Sequence, residues 1–119
     1  MVNRNQMILL AQGQLDAYNN RDIEKFCSYY HPQVEAWDVN GQTFQTELIC
    51  RGIDSFKKIY DQKFKNTPGL FCELKNRIIT SFSVLDEEIV TLKQHEPQVH
   101  AVAIYHFKDN LIYRIHFTK

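Results

Sequence analysis

The hydrophobic positions near the start of the chain predict two amphipathic helices. In residues 4–18 apolar side chains recur at helical spacing, at Met7, Ile8, Ala11, Leu15 and Tyr18. Asp22 is placed to cap a second helix, whose apolar stripe is Ile23, Phe26, Cys27 and Tyr30. His31-Pro32 ends this helix, because a proline disfavours helical backbone in the residue before it.

The next segment predicts a β-hairpin and a third helix. The strand VEAWDV is followed by Asn40-Gly41, a strong signal for a two-residue turn, and by a return strand over about residues 42–50. That turn would pair Trp37 with Phe44 and Asp38 with Thr43. Gly52 opens the helix, with Ile53, Phe56, Ile59, Tyr60 and Phe64 facing inward and a solvated back of Lys57, Lys58, Lys63 and Lys65.

From Leu70 onward the pattern predicts only β-strands. They cover about residues 70–81, 84–94, 98–107 and 111–118, and their short turns make them antiparallel. Three helices in the N-terminal half and a mostly antiparallel sheet predict an α+β fold.

The last hairpin has two chemically different faces. A three-residue loop at 108–110 would pair Phe107 with Leu111. One face is then apolar or aromatic: Ala101, Ala103, Tyr105, Phe107, Leu111, Tyr113, Ile115 and Phe117. The other mixes aliphatic and cationic residues: His100, Val102, Ile104, His106, Ile112, Arg114 and His116. We expect the first face to pack on the helices.

Composition excludes several classes of protein. A length of 119 residues supports a single domain, 1–119, and 14 basic against 14 acidic side chains make a nucleic-acid binder unexpected. The sequence lacks an apolar run as long as a membrane span, so no membrane partner is expected. Cys27, Cys50 and Cys72 are odd in number and widely spaced, which favours free thiols and a cytoplasmic location.

The order of these elements resembles a known family. Four segments, QLDAYNNRDIEKFCSYYHPQVEAWDVNG, RGIDSFKKIY, ELKNRIITSFSVLDEE and AVAIYHFKDNLIYRIHF, are similar to SnoaL-like proteins of the nuclear transport factor 2-like and ketosteroid isomerase-like superfamily. The similarity covers about residues 8–118. It implies a cone in which three helices pack into the concavity of a strongly curved sheet. It also implies a pocket at the wide end and a homodimer through the convex sheet face.

The resemblance assigns roles to individual residues. Asp38 occupies the position of the isomerase base. Tyr105 matches a tyrosine of the narrower SnoaL-like branch and is the candidate hydroxyl donor. The two oxyanion donors of the steroid isomerases, a tyrosine and a protonated aspartic acid, fall at Gln14 and Ala103. Because such donors are often worth 100-fold or more in rate, steroid isomerisation is not expected.

Further candidate ligand contacts follow from the same comparison. Arg77 and Glu88 match an Arg and an acid of the narrower branch, and a hairpin centred near Phe82-Ser83 would bring the two side chains opposite each other. Their pair is either structural or an anchor for a polar substrate group. The remaining candidates are two aromatic residues, Trp37 and Tyr113.

The strand pattern and the family position disagree about Asp38. Pairing Trp37 with Phe44 would put the obvious core pair on one face and Asp38 on the other, so either the strand bulges or Asp38 faces solvent. Family position favours the pocket.

No metal or other cofactor is expected. His100 and His106 share a face but lie about 20 Å apart along one strand, and no three ligands converge. The predicted function is binding of a small, largely apolar molecule, with isomerase-like or lyase-like proton transfer as the candidate activity. The alternatives are a non-catalytic binding or dimerisation module and an epoxide hydrolase-like enzyme.

Overall fold

A computed structural model describes residues 2–93 and 95–119. It contains three helices and six strands. In chain order they are α1 Arg4–Asn19, α2 Ile23–Ser28, β1 Tyr30–Val39, β2 Thr46–Arg51, α3 Ile53–Asn66, β3 Phe71–Ile79, β4 Ser83–Thr91, β5 Val99–Lys108 and β6 Leu111–Thr118.

The strands form one mixed sheet with the order β2-β1-β6-β5-β4-β3. Neighbouring strands are antiparallel except β1 and β6, which are parallel. The helices cover the concave face, and an aromatic cluster lies between them and the sheet. Its members include Tyr18, Phe26, Tyr30, Phe56, Tyr60 and Phe64, with ring centroids 4.5–6.3 Å apart. The predicted α+β cone is confirmed.

Local signals set the starts of the first two helices. Asn3 caps α1 through a capping box with Gln6, in which each side chain bonds the backbone of the other residue. The Asp22 carboxylate accepts from the Lys25 amide and caps α2, as predicted. The strand after α2 already begins at Tyr30, earlier than the expected VEAWDV.

The two-residue turn at Asn40-Gly41 is wrong. Val39 pairs with Thr46, so the connection is the six-residue loop 40–45. The Asn40 side chain accepts from the amides of Gln42 and Thr43, an Asx turn that competes with the tight hairpin turn. Trp37 therefore pairs with Leu48 instead of Phe44, and Asp38 pairs with Glu47 instead of Thr43.

The predicted three-residue loop of the last hairpin is also wrong. Lys108 pairs with Leu111 across a two-residue turn, and Asp109 and Asn110 both have positive φ. A bulge between His106 and Phe107 then shifts the register, so that Tyr105 pairs with Ile115.

This bulge divides β6 into two parts. On the side of the bulge away from the β5–β6 turn, the residues that face the core are those predicted, including Ala103, Tyr105 and Ile115. Near the turn the faces are reversed. Ile112, expected on the convex face, is fully buried in the core, whereas Tyr113, expected to face Tyr105, is half-buried against His31.

Candidate functional site

The concave face of the sheet and the three helices enclose a cavity of about 250 Å³. This lies just below the usual range of ligand pockets, about 300–1,000 Å³. Its walls are mainly aromatic and aliphatic. Among the described residues, the polar side chains that line it are four tyrosines, Tyr105 among them, and Gln14, Asp38, Lys63, Cys72, Glu88 and Lys119. The cone is therefore not filled by side chains, and the polar groups stand in apolar surroundings.

A buried amide connects two tyrosines at the cavity wall. The Gln14 side chain donates from Nε2 to the Tyr105 hydroxyl over 3.0 Å and to the Ala11 carbonyl over 2.9 Å. Its Oε1 accepts from the Tyr30 hydroxyl over 2.7 Å. Both Gln14 amide protons are thus engaged, and the Tyr105 oxygen acts as an acceptor. The Tyr105 O–H proton stays available to a group in the cavity.

Glu88 is a buried carboxylic acid of the cavity wall. It lies on β4 opposite Ala101 and Leu74, and it is only 6% exposed. Burial, and next the negative charge of Asp86, raise its pKa from 4.5 to about 7, against opposing contributions from Cys72, Arg77 and Lys63. Glu88 therefore exchanges a proton readily near neutral pH.

Burial also keeps the tyrosine protons in place. Desolvation, followed by the Glu88 charge, raises the pKa of Tyr105 well above its ordinary value. Burial has the same effect on the pKa of Tyr18 and of Tyr60. Each hydroxyl is therefore a donor and not a phenolate at neutral pH.

Asp38 lines the same cavity and is half-buried. The strand pattern had placed Trp37 in the core and Asp38 outside. Trp37 instead lies on the outer face of the sheet, where its indole stacks on His116 with ring centroids 6.2 Å apart. Phe44, its expected core partner, is 80% exposed in the loop 40–45. A bulge also occurs here, between Ala36 and Trp37.

Three other candidates lie outside the cavity lining. Trp37 faces an outer depression and donates from Nε1 to Glu35 over 3.2 Å. Ala103 is fully buried between its strand neighbours Asp86 and Phe117. Tyr113 packs against His31 and beneath Lys108 instead of facing Tyr105.

The expected Arg77–Glu88 pair is wrong. Ile79 pairs with Val84, so the hairpin is centred one residue earlier than expected and Arg77 lies opposite Asp86. A bulge between Leu74 and Asn76 then places Glu88 opposite Leu74. The Arg77 guanidinium binds the fully buried Asp86 carboxylate at two points, over 2.8 and 2.9 Å, and Gln12 over 3.0 Å. Arg77 is thus a structural partner of Asp86, and Glu88 faces the cavity.

Sequence reasoning missed three polar cavity residues, Lys63, Cys72 and Lys119. Lys63 was expected on the solvated back of α3, but it lines the cavity with Tyr60. Its spacing of seven residues from Phe56 and three from Tyr60 was a usable signal, because such positions share a helix face. Cys72 also lines the cavity, and alternation with Leu70 and Leu74 would have placed it inward.

Other chemistry finds little support in the described ranges, residues 2–93 and 95–119. Cys27, Cys50 and Cys72 are free. Within these ranges no group of three or more His, Cys, Asp or Glu side chains is arranged to hold a metal ion. The helices of the same ranges are too short or too polar to cross a membrane.

Solved structures with very similar folds come from several bacteria. An uncharacterised cystatin-fold protein from Novosphingobium aromaticivorans is 22% identical, with a TM-score of 0.78 over 92% of this chain and 95% of that one. A SnoaL-like protein of unknown function from Burkholderia thailandensis is 14% identical, with a TM-score of 0.75 over 98% and 97% of the two chains. A candidate ketosteroid isomerase from Kribbella flavida is 18% identical, with a TM-score of 0.75 over 96% and 77%.

No curated protein matches the sequence. At these identities the structural neighbours establish the fold and not an activity. The family model of the SnoaL-like domain, however, matches residues 11–115, nearly the whole chain. The expected resemblance is confirmed: this chain belongs to the SnoaL-like domain family.

Proposed function

We propose that the protein binds a small, largely apolar molecule with a carbonyl group in the cone cavity and transfers a proton on that molecule. The observation that carries this proposal is Glu88, an acid buried on an apolar cavity wall with a pKa of about 7. A general acid or base works best when its pKa lies near the working pH. Apolar walls with a few convergent polar groups are typical of small-molecule sites.

The polar groups divide into a donor and two candidate bases. Tyr105, held by Gln14, offers its proton to a carbonyl oxygen. Glu88 takes a proton from the carbon next to that carbonyl and returns it elsewhere. Asp38, the base position implied by the family, lines the same cavity but is half-buried. Hydrogen bonding by Tyr105 stabilises the enolate that forms between the two proton transfers.

This arrangement differs from that of the steroid isomerases. The positions of their two donors hold Gln14, which donates to Tyr105, and Ala103, which does not line the cavity. The proposed donor Tyr105 comes from β5 instead. The site therefore favours proton transfer next to a carbonyl without a steroid as the substrate.

The epoxide hydrolase-like alternative is less favoured by the geometry. It needs an Asp–Arg–Asp arrangement around a water molecule in the pocket. Arg77 is instead bound at two points by Asp86, and neither residue lines the cavity. The non-catalytic binding module remains the second candidate, since the cavity alone supports binding without chemistry.

Deuterium exchange into a ketone tests the proposal directly. With 1-tetralone in D₂O, proton NMR follows loss of the signal from the carbon next to the carbonyl. We expect the wild-type chain to accelerate this exchange, and Glu88→Gln to lower the acceleration by about 100-fold. Asp38→Asn is the matched comparison, because it neutralises the other cavity acid.

Three results would change the assignment. Loss of exchange in Asp38→Asn but not in Glu88→Gln would transfer the role of base to Asp38. Binding of 1-tetralone without accelerated exchange would favour the binding module. Absence of both binding and exchange would contradict the proposed function.

We also propose that a second copy of the chain covers the outer face of β5 and β6. Half-exposed Val102 and Ile104 form an apolar centre on this face. It is flanked by His106 and His116, whose rings contact each other with centroids 5.4 Å apart. His100 and Arg114 lie at the exposed edge of the same face. The buried Ile112 is no longer part of this surface.

A further inference from the structure

Lys63 differs from the other lysines of α3. Lys57 pairs with Glu24 over 2.5 Å and Lys65 with Asp61 over 3.0 Å, and Lys58 is exposed. Lys63 lines the cavity, with Nζ 5.6 Å from the centroid of the Tyr60 ring. With the described residues it forms no ion pair. The amine therefore belongs to the cavity and not to the solvated surface.

The Lys63 amine lies against an aromatic surface. Tyr60, over which it lies, packs on Phe26 with centroids 5.0 Å apart and on Phe56 with centroids 4.7 Å apart. Burial, and next the positive charge of Lys119, lower the pKa of Lys63 against opposing contributions from Cys72 and Glu88. A larger fraction of the amine is then neutral and nucleophilic at a given pH.

Burial makes the Cys72 thiol of the same cavity less reactive. It raises the pKa of the Cys72 thiol strongly, so that the thiol stays protonated and unreactive. The described cavity lining holds two amines, Lys63 and Lys119, and one thiol, Cys72. Lys119 is an exposed residue at the chain terminus, so Lys63 is the half-buried amine of the cavity.

We propose that Lys63 is a covalent anchor for carbonyl compounds: its amine condenses with an aldehyde or ketone group of an apolar ligand in the cavity and forms an imine. This inference rests on the proposed function, because it uses the same cavity and the same class of ligand. It adds a site on α3 to the polar groups of α1, β4 and β5.

The step balances without any oxidant or reductant. The Nζ lone pair forms a bond to the carbonyl carbon, while the C=O π electrons move to oxygen and give a carbinolamine after proton transfer. The oxygen is then protonated and leaves as water, as the nitrogen lone pair forms the C=N bond and the nitrogen loses its remaining proton. Glu88, which lines the same cavity, is the acid that supplies the proton to the leaving oxygen. Hydrolysis reverses the sequence and releases the ligand.

Reductive trapping tests the anchor. The probe is 4-(trifluoromethyl)benzaldehyde, and sodium cyanoborohydride at pH 7 supplies the hydride that converts an imine to a stable secondary amine. Peptide mapping by mass spectrometry then locates the label. We expect Lys63 to be labelled faster than every exposed lysine, Lys119 included, because its lowered pKa raises the neutral fraction of the amine and the cavity holds the aldehyde beside it.

Two conservative variants serve as a matched pair. Lys63→Arg keeps the positive charge but forms no such imine, and it should lose the fast label. Lys58→Arg makes the same change on the exposed side of α3 and should keep it. The proposal of a covalent anchor would be wrong if Lys63 and the exposed lysines were labelled at similar rates. It would also be wrong if the fast label persisted in Lys63→Arg.

Binding without chemistry is measured separately. The ¹⁹F signal of 4-(trifluoromethyl)benzyl alcohol, which forms no imine, broadens if the molecule occupies the cavity. Broadening without preferential labelling of Lys63 would overturn the anchor and leave the proposed binding function intact. Absence of broadening for both the alcohol and the aldehyde would overturn both.

Discussion

The side-chain amide of Gln14 donates a hydrogen bond to the hydroxyl of Tyr105 over 3.0 Å, and so joins α1 to β5 across the cavity wall. The two residues are 91 positions apart in the chain. Since Gln14 also accepts from Tyr30, one amide fixes the orientation of two buried tyrosines. The amide thus orients the proposed donor.

Gln14→Leu should destabilise the fold by about 2 kcal/mol, because it leaves the hydroxyls of Tyr30 and Tyr105 without their buried partner. Urea denaturation measures the change. Tyr30→Phe in the Gln14→Leu background should add little, since the bond it would remove is already lost. Simple additivity of the two changes would show that the network is not cooperative.

The free energy of unfolding should depend on pH through the titration of the buried Glu88 carboxyl. Between the ordinary pKa of 4.5 and the folded value of about 7, the folded chain keeps a proton on Glu88 that the unfolded chain releases. Stability therefore falls as pH rises through this interval and then becomes constant. The total effect is about 3 kcal/mol, and Glu88→Gln should remove it.

The measurement is urea denaturation of both chains at pH 5 and pH 8. The variant should gain stability relative to wild type at the higher pH. Glu47→Gln, at an exposed position of β2, makes the same chemical change and should leave the wild-type pH dependence intact. An equal pH dependence in wild type and Glu88→Gln would contradict the shifted pKa.

The sequence was sufficient for the elements and for most of their faces. The alternation in β5 and in the second half of β6 placed Ala103, Tyr105 and Ile115 inward, because burial of one face strongly restricts register. Local capping also predicted the start of α2 at Asp22. These features depend on neighbours within a few residues.

The site was less predictable because it depends on irregularities of the strands. The position of the β3–β4 turn sets the pairing of Arg77, and a bulge between β5 and β6 changes the face on which Tyr113 lies. The orientation of Trp37 was unpredictable for a different reason. An aromatic residue can lie on either face of the sheet, and the stacking of Trp37 on His116 places it on the outer face. Long-range contacts of this kind leave no local pattern in the sequence.

Arg77→Met should destabilise the protein by about 3–5 kcal/mol, because it leaves the fully buried Asp86 carboxylate without its guanidinium partner. The double variant Arg77→Met/Asp86→Leu should recover most of this loss, since a buried ion pair is often replaceable by apolar residues. Thermal and urea unfolding measure both. A double variant no more stable than Arg77→Met would show that the pair is needed for more than charge compensation.

Ile104→Glu should separate the proposed dimer into single chains. Ile104 lies half-exposed at the apolar centre of the outer face, and a second subunit there would bury the new carboxylate without a partner. We expect the dimer Kd to rise by about tenfold or more, measured by light scattering over a dilution series. The matched control is Phe44→Glu, which places the same charge on an apolar residue that is 80% exposed in the loop 40–45 and should leave the dimer intact. A wild-type chain that scatters as a monomer at all concentrations would contradict the interface, and a dimer unaffected by Ile104→Glu would place it elsewhere on the molecule.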